Sequence, residues 1–239
     1  MQQPPVRNAS IVAAFVFSHS GEFGAVSLDV RIAGHGPNLD LIRSYRSSLA
    51  DSIGALGRGW SCNLARRVEH DGKDVLYGDG TGSVHRFAHK KAGQYTSPAD
   101  LYAVLRENGG EFVLEEQFGT RTAFQAPDQG GRILAVTDRN ANGLRFSYSA
   151  DSVQIVDAVN RKALVTVDDG LWRTVTDHAG RTWQFLYDAN SLLVEVVRPA
   201  TRDFPQGTSV TYGYDVHHRL VTLTDPNRLE REHAKGTSD

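Results

Sequence analysis

The chain has 239 residues, 26 lysines and arginines against 28 acids, a net charge of −2 and 40% hydrophobic residues. That length and balance suit one or two domains with a buried core and exclude disorder over the whole chain. They offer no overall charge that would draw in nucleic acid or an anionic membrane. Cys62 is the only cysteine, which excludes an intrachain disulfide and a cysteine-rich metal centre.

The longest apolar run, Ile11 to Phe17, is too short for a membrane span, which needs roughly 20 residues. With a single arginine before it and Ser18-His19-Ser20-Gly21-Glu22 after it, the run is also a poor secretory signal. Asn8-Ala9-Ser10 has the form of a glycosylation acceptor, a triplet that also arises by chance. Ile42–Leu49 and Leu101–Leu105 are the best helical candidates, and neither carries a convincing period. Elsewhere short apolar–polar alternations are broken by Gly, Asn and Asp, the pattern of strands joined by tight turns. Gly54 to Gly59 reads as a loop leading into Trp60. Gly78-Asp79-Gly80-Thr81-Gly82 could be taken for a phosphate-binding loop, but the adjoining segment, Ser83 to Phe87, reads as strand rather than helix, so a hairpin turn is expected.

From about Gly130 the pattern becomes a repeat. Asp138, Asp157 and Asp177 each follow a β-rich tripeptide (Ala135-Val136-Thr137, Gln154-Ile155-Val156, Thr174-Val175-Thr176), and Asp225 follows Thr222-Leu223-Thr224 in the same way. Between them lie segments ending in tyrosine: Phe146-Ser147-Tyr148, Phe185-Leu186-Tyr187 and Tyr212-Gly213-Tyr214. The unit is strand, turn, strand, turn. In Asp177-His178-Ala179-Gly180-Arg181 the aspartate can accept backbone N–H bonds and Gly180 supplies positive φ; Asn160 serves the same purpose after Asp157. Asp188-Ala189-Asn190-Ser191 and Asp215-Val216-His217-His218 lack the glycine, so those turns are expected to be looser or of another type. Asp225-Pro226-Asn227-Arg228 fits a type I turn. Two-residue spacing puts Trp183, Phe185 and Tyr187 on one sheet face and Thr182, Gln184 and Leu186 on the other. One dry and one wetter face suit a curved antiparallel sheet.

Several residue types invite sharper readings. His217 and His218 are adjacent and diverge in a strand or turn. His85 and His89 have helical spacing where the pattern reads strand and loop. Solvated turn histidines are the reading, and no metal ligand is named. Glu115-Glu116 and Asp168-Asp169 could serve glycoside hydrolysis only if held across a cleft; adjacent acids point apart, and Asp169-Gly170 is a turn signal. No Gly-x-Ser-x-Gly elbow is present. Cys62, placed at a strand start, reads as an inert, half-buried thiol. The aromatic stripe of Trp172, Trp183, Phe185 and Tyr187 could stack sugar rings, but packing is the preferred account.

Tyr187-Asp188, Gly180-Arg181, Tyr214-Asp215, Arg219-Leu220 and Asp225-Pro226 resemble the RHS/YD-repeat proteins, among them bacterial polymorphic toxins, toxin-complex shells and the teneurin YD-shell. Ser20-Gly21-Glu22-Phe23, Leu28-Asp29-Val30-Arg31-Ile32, Gly36 to Leu41, Arg43-Ser44-Tyr45-Arg46-Ser47, Gly57-Arg58-Gly59-Trp60-Ser61, and Tyr77 with Asp79-Gly80-Thr81-Gly82 and Phe87 look like the region that precedes the repeats in that family. The resemblance covers roughly Val16 to Arg228. It implies a hollow β-shell that encloses a C-terminal toxin or other polypeptide in the complete protein. The chain is several times shorter than typical members and lacks the C-terminal self-cleaving region and the toxin. It is therefore expected to be a gene remnant, an N-terminal fragment or one piece of a split protein.

The expectation is an all-β fold of antiparallel β-hairpin repeats forming a curved open sheet, part of a β-shell. A region of short strands at 10–125 precedes YD-repeat hairpins at 126–228 and a loose polar tail at 229–239. The function expected is a non-catalytic scaffold segment, with no catalytic, cofactor-binding or metal residue and no cofactor. Its partners would be a C-terminal toxin or further shell repeats, with secretion machinery and carbohydrate as further possibilities, and neither nucleic acid nor a membrane span. The place would be outside the cell or on its surface, reached by dedicated export. The alternatives are a cell-surface carbohydrate- or protein-binding module and a small β hydrolase.

Overall fold

A computed structural model describes residues 12–18, 20–202 and 204–225. Asn8-Ala9-Ser10, the turn from Pro226 onward and the tail at 229–239 lie outside the described residues. The described chain is almost entirely antiparallel β-structure, as expected, with strands over 58% of it and only short 3-10 turns as helix.

Two main sheets build it. The leading sheet takes β1 (Val12–Val16), β2 (Phe23–Ile32), β3 (Leu39–Arg46) and, after a small hairpin of β4 (Ile53–Gly54) and β5 (Gly57–Arg58), β6 (Trp60–Cys62), in the order β1-β2-β3-β6. The second is a meander of sixteen strands in sequence order. Its first part is β7 (Arg67–Asp71), β8 (Asp74–Gly78), β9 (Val84–Lys91), β10 (Gln94–Thr96), β11 (Ala103–Asn108), β12 (Glu111–Glu116) and β13 (Arg121–Phe124). There follow β14 (Ile133–Thr137), β15 (Gly143–Tyr148), β16 (Ser152–Val156), β17 (Lys162–Asp168), β18 (Leu171–Thr176), β19 (Thr182–Tyr187), β20 (Leu193–Arg198), β21 (Thr208–Tyr214) and β22 (Leu220–Thr224). The change of sheet falls between Cys62 and Arg67, and the meander then runs without a break through residues 125 and 126. The helical candidates are both extended: Ile42–Arg46 belongs to β3, with a single 3-10 turn at Ser47–Leu49, and Ala103–Asn108 is β11. Both segments pair along their length, and ladder pairing outweighs a weak helical pattern.

The large sheet stays open, but its first seven strands curl. The amide of Val68 on β7 donates to the carbonyl of Gly131 (2.9 Å), and Arg67 bridges to Arg132, beyond β13. Rings then meet across the curl, Tyr77 with Phe124 (5.9 Å) and His70 with Phe112 (5.9 Å), around fully buried Val68, Val75, Phe87, Leu105 and Leu114. From β14 on each strand pairs with the next in sequence, and the alternation works as read. Trp183 and Phe185 are buried while Gln184 and Leu186 face outward.

The repeat is spelled out in its turns. Asp138, Asp157, Asp177, Asp188 and Asp215 each open a turn of the same form. The aspartate amide donates to the carbonyl four residues on (2.9–3.0 Å), and the amide three residues on donates back to the aspartate carbonyl (3.0–3.1 Å). The carboxylate Oδ1 accepts from the amides two and four residues on, at 2.8–3.0 Å. The fourth residue is left-handed every time: Ala141 (φ 62°), Asn160 (63°), Gly180 (77°), Ser191 (62°) and His218 (60°). The expectation that the turns at Asp188 and Asp215 would differ is therefore corrected. Four hydrogen bonds and two flanking ladders over-determine the backbone, enough to hold a residue with a side chain in a conformation costing of order 1–3 kcal/mol.

Candidate functional site: the seam between the two sheets

Alternation along β3 sends Leu39, Leu41, Arg43 and Tyr45 into the interior, so a guanidinium is carried into the core by its place in a strand. Its partner comes from β2. Ladder pairing skips from Leu28 to Val30, leaving Asp29 as the extra residue of a bulge, a device that re-aims a side chain. Asp29 meets Arg43 through two hydrogen bonds, one of them Nη2 to Oδ1 at 3.0 Å, and also accepts from the Ser27 hydroxyl (2.9 Å). Both charged side chains are wholly buried. Burial works against the arginine's charge, but Asp29 and Tyr212 more than offset it, so its pKa lies above the usual arginine value.

Across the seam, Arg43 Nη2 donates to the Tyr212 hydroxyl on β21 (2.8 Å), and the guanidinium carbon lies 4.6 Å from the Trp60 ring and 5.4 Å from that of Tyr212. Trp60 Nε1 donates to the Tyr214 hydroxyl (3.0 Å), which donates in turn to the Leu193 carbonyl (2.8 Å). The Tyr45 hydroxyl accepts from the Leu220 amide (2.9 Å). The β4–β5 hairpin docks by backbone: Trp172 N to Ala55 O (2.8 Å) and Arg58 N to Ser191 O (3.0 Å). Gly57 must be glycine here, since its φ is 92° and a Cβ would sit 2.6 Å from the Ser191 carbonyl. At the other rim, Arg161 donates to the Ala33 carbonyl.

These bonds give the Tyr-Asp pair a physical meaning. The aspartate builds a turn, and the tyrosine hydroxyl donates to a carbonyl of an earlier strand or its border: Tyr187 to Trp172 and Tyr214 to Leu193, and likewise Tyr148, which precedes Ser149 rather than aspartate, to Ile133, each at 2.8 Å. Burial pushes all three phenols up, Tyr148 to about 12. In the stripe, Trp172, Trp183 and Phe185 are buried in the core, and Tyr187 packs half-buried against it.

Other residues singled out from the sequence lie apart from the seam or serve it passively. Cys62 is fully buried at the end of β6 rather than half-buried at a strand start, and burial raises its thiol to about 12. His85 is not a solvated turn residue. It sits on β9 with its Nε2 3.1 Å from Asp79 and its Nδ1 3.5 Å from Asp100, because Asp79 anchors the adjoining hairpin turn. His217 and His218 do lie in a turn, as read. Glu115 pairs with Arg121 and Asp168 with Arg173 on the surface, and Asp169-Gly170 (φ 51° and 75°) forms the expected tight turn. Gly78 to Gly82 connects β8 to β9 as a hairpin, as expected. The buried Asp29–Arg43 pair is the feature that sequence reasoning misses. Its signal is an arginine at an inward position of Leu39-Asp40-Leu41-Ile42-Arg43-Ser44-Tyr45. What this arrangement does chemically is fasten one sheet to another.

Two family models match the chain: a domain of unknown function (DUF6531) over residues 16–87, and the RHS repeat over residues 200–230. The first covers the leading sheet from β2 onward and the start of the curl; the second covers the hairpin of β21 and β22. Among curated proteins the chain is similar to the tRNA3(Ser)-specific nuclease WapA of Bacillus spizizenii, 24% identical over 83% of this chain and 10% of that protein. It is similar to the tRNA nuclease WapA of Bacillus subtilis, 31% identical over 51% of this chain and 5% of that protein. It is also similar to the double-stranded DNA deaminase toxin A of Burkholderia cenocepacia, 27% identical over 78% of this chain and 12% of that protein. The chain thus spans between 5% and 12% of the length of these relatives. Spelling the repeat and folding it hairpin by hairpin, the chain carries an RHS repeat behind a DUF6531 region and is similar over this stretch to the WapA nucleases and a deaminase toxin, which together support an RHS/YD-repeat, toxin-related segment.

Proposed function

We propose that this chain is a non-catalytic scaffold segment of a β-shell that encloses or delivers a C-terminal toxin in the complete protein. The observation that carries the reading is the seam. The aromatic, acidic and basic side chains with the most chemistry to offer are spent on holding the leading sheet against the repeats. In this reading residues 10–125 form the region that starts the shell, 126–228 its first YD hairpins and 229–239 a loose tail. The partners are further repeats and a toxin, and the complete protein reaches the cell surface or the medium through dedicated secretion machinery. A second reading, a carbohydrate- or protein-binding module, rests on the exposed Tyr102 and Phe118.

The test is to read the gene beyond the Asp239 codon, then to co-express this chain with the product of the downstream DNA. Tyr-Asp repeats downstream, in frame or after a frameshift, and co-purification of the two parts with the toxin protected from protease, are the expected results. A genuine stop with no repeats, together with specific retention on glycan or protein arrays that is lost in a Tyr102→Ala/Phe118→Ala double variant, would overturn the proposal in favour of the binding module.

A further inference from the structure

The sequence holds two Asn-Gly pairs, Asn108-Gly109 and Asn142-Gly143. In such a pair the glycine nitrogen can reach the carbonyl at the end of the asparagine side group, because glycine puts no Cβ in the way and leaves the backbone free to turn. The fold treats the two pairs oppositely.

Asn142 closes the turn opened by Asp138. Its amide donates to the Asp138 carboxylate (3.0 Å), and its carbonyl accepts from the Asp138 amide (2.9 Å). Gly143 is buried in β15 opposite Thr137, so tightly that an added Cβ would fall 1.9 Å from the Val136 carbonyl. Gly36, in the bend between β2 and β3, also lies so close that a Cβ there would fall 2.8 Å from the Asn142 carbonyl oxygen. The Gly143 nitrogen cannot swing toward the Asn142 side chain without unzipping the ladder.

Asn108 ends β11 at a free hairpin tip. Its neighbours Gly109 (φ 60°) and Gly110 (φ 86°) form the two-residue loop, all three residues are exposed, and nothing lies within 4 Å of where a Cβ would stand on either glycine. In a hairpin of this type the first loop amide points away from the ladder and is left free. No side-chain hydrogen bond holds the Asn108 amide among the described residues.

We infer that Asn108 is a site of spontaneous deamidation, while Asn142 is protected by the fold. The Gly109 nitrogen attacks the Asn108 Cγ. A new bond between that nitrogen and Cγ closes a cyclic imide, the bond from Cγ to Nδ2 breaks, and ammonia leaves with the proton given up by the Gly109 amide. Water then opens the imide at either carbonyl, giving aspartate or isoaspartate, and no other reagent is consumed. Either product places a negative charge between Glu107 and the cross-strand partner Glu111. Isoaspartate also adds a carbon to the backbone, which the Asn108–Glu111 register cannot absorb. The β11–β12 hairpin tip therefore loosens as the protein ages.

The experiment is peptide mapping by mass spectrometry of the full-length protein held in mildly alkaline buffer at physiological temperature, with a parallel sample in denaturant. In the folded protein Asn108 is expected to convert at least about tenfold faster than Asn142, with chromatographically separate aspartate and isoaspartate products, and the difference should collapse on unfolding. An Asn108→Gln variant, at an exposed position and so expected to fold normally, should lose those products. Equal conversion at both sites in the folded protein, or an Asn108 that converts only in denaturant, would overturn the inference.

Discussion

Replacing Asp29 with Asn strands the Arg43 guanidinium inside the seam. Neither side chain of the pair has any exposure, so water cannot take the place of the lost carboxylate. What remains for the arginine is the Tyr212 hydroxyl at 2.8 Å and the Trp60 face at 4.6 Å. Breaking a buried ion pair from one side costs about 3–5 kcal/mol, mostly the penalty of the orphaned charge. For a protein of this size that is a fall in Tm of roughly 6–20 °C. A charge-free Asp29→Leu/Arg43→Met double variant removes the attraction and the desolvation penalty together, and is expected within about 2 kcal/mol of the parent. The assay is urea unfolding of parent, single and double variants, followed by tryptophan fluorescence, since Trp60 touches the arginine. If Asn at 29 costs less than about 1 kcal/mol, the pair behaves as an exposed one and the reasoning fails.

Three further outcomes are expected. Hydrogen bonds from Arg46, joined by Ser48 and opposed by burial, hold the Glu22 carboxyl at about 2 against an ordinary 4.5. Its folded pKa is the lower one, so its contribution is present above the ordinary value and lost as pH falls toward about 2. Urea midpoints measured from neutral to acid pH should drop less steeply for Glu22→Gln, which starts lower. Ser191→Gly should stabilise by about 0.5–1 kcal/mol, because φ of 62° suits glycine, whereas Gly180→Ala should destabilise; thermal melts decide both. Cys62, buried with its thiol raised to about 12, should resist thiol reagents in the folded protein and react at once in denaturant.

Much of the repeat is legible in the sequence because its information is local. Asp177, Gly180 and the Trp183–Phe185–Tyr187 alternation each report a turn or a face within a few residues. The same locality misleads at Ser191 and His218, where residue preference argues for a different turn and the flanking ladders override it. His85 departs from its local reading because the residues that give it company, Asp79 and Asp100, are placed by a hairpin and a separate loop.

By itself, the sequence determined the β-class, the hairpin period, the turns opened by aspartate and the family likeness, since periodicity and turn chemistry act between near neighbours. Only the tertiary structure decided that β7 returns to Arg132, that Arg43 is buried against Asp29 and Tyr212, and that one Asn-Gly pair is locked while the other is free. Arg43 and Tyr212 stand 169 residues apart. No local preference encodes such a meeting. It follows from the shape of two sheets closing on one another and from the cost of leaving a charge inside without a partner.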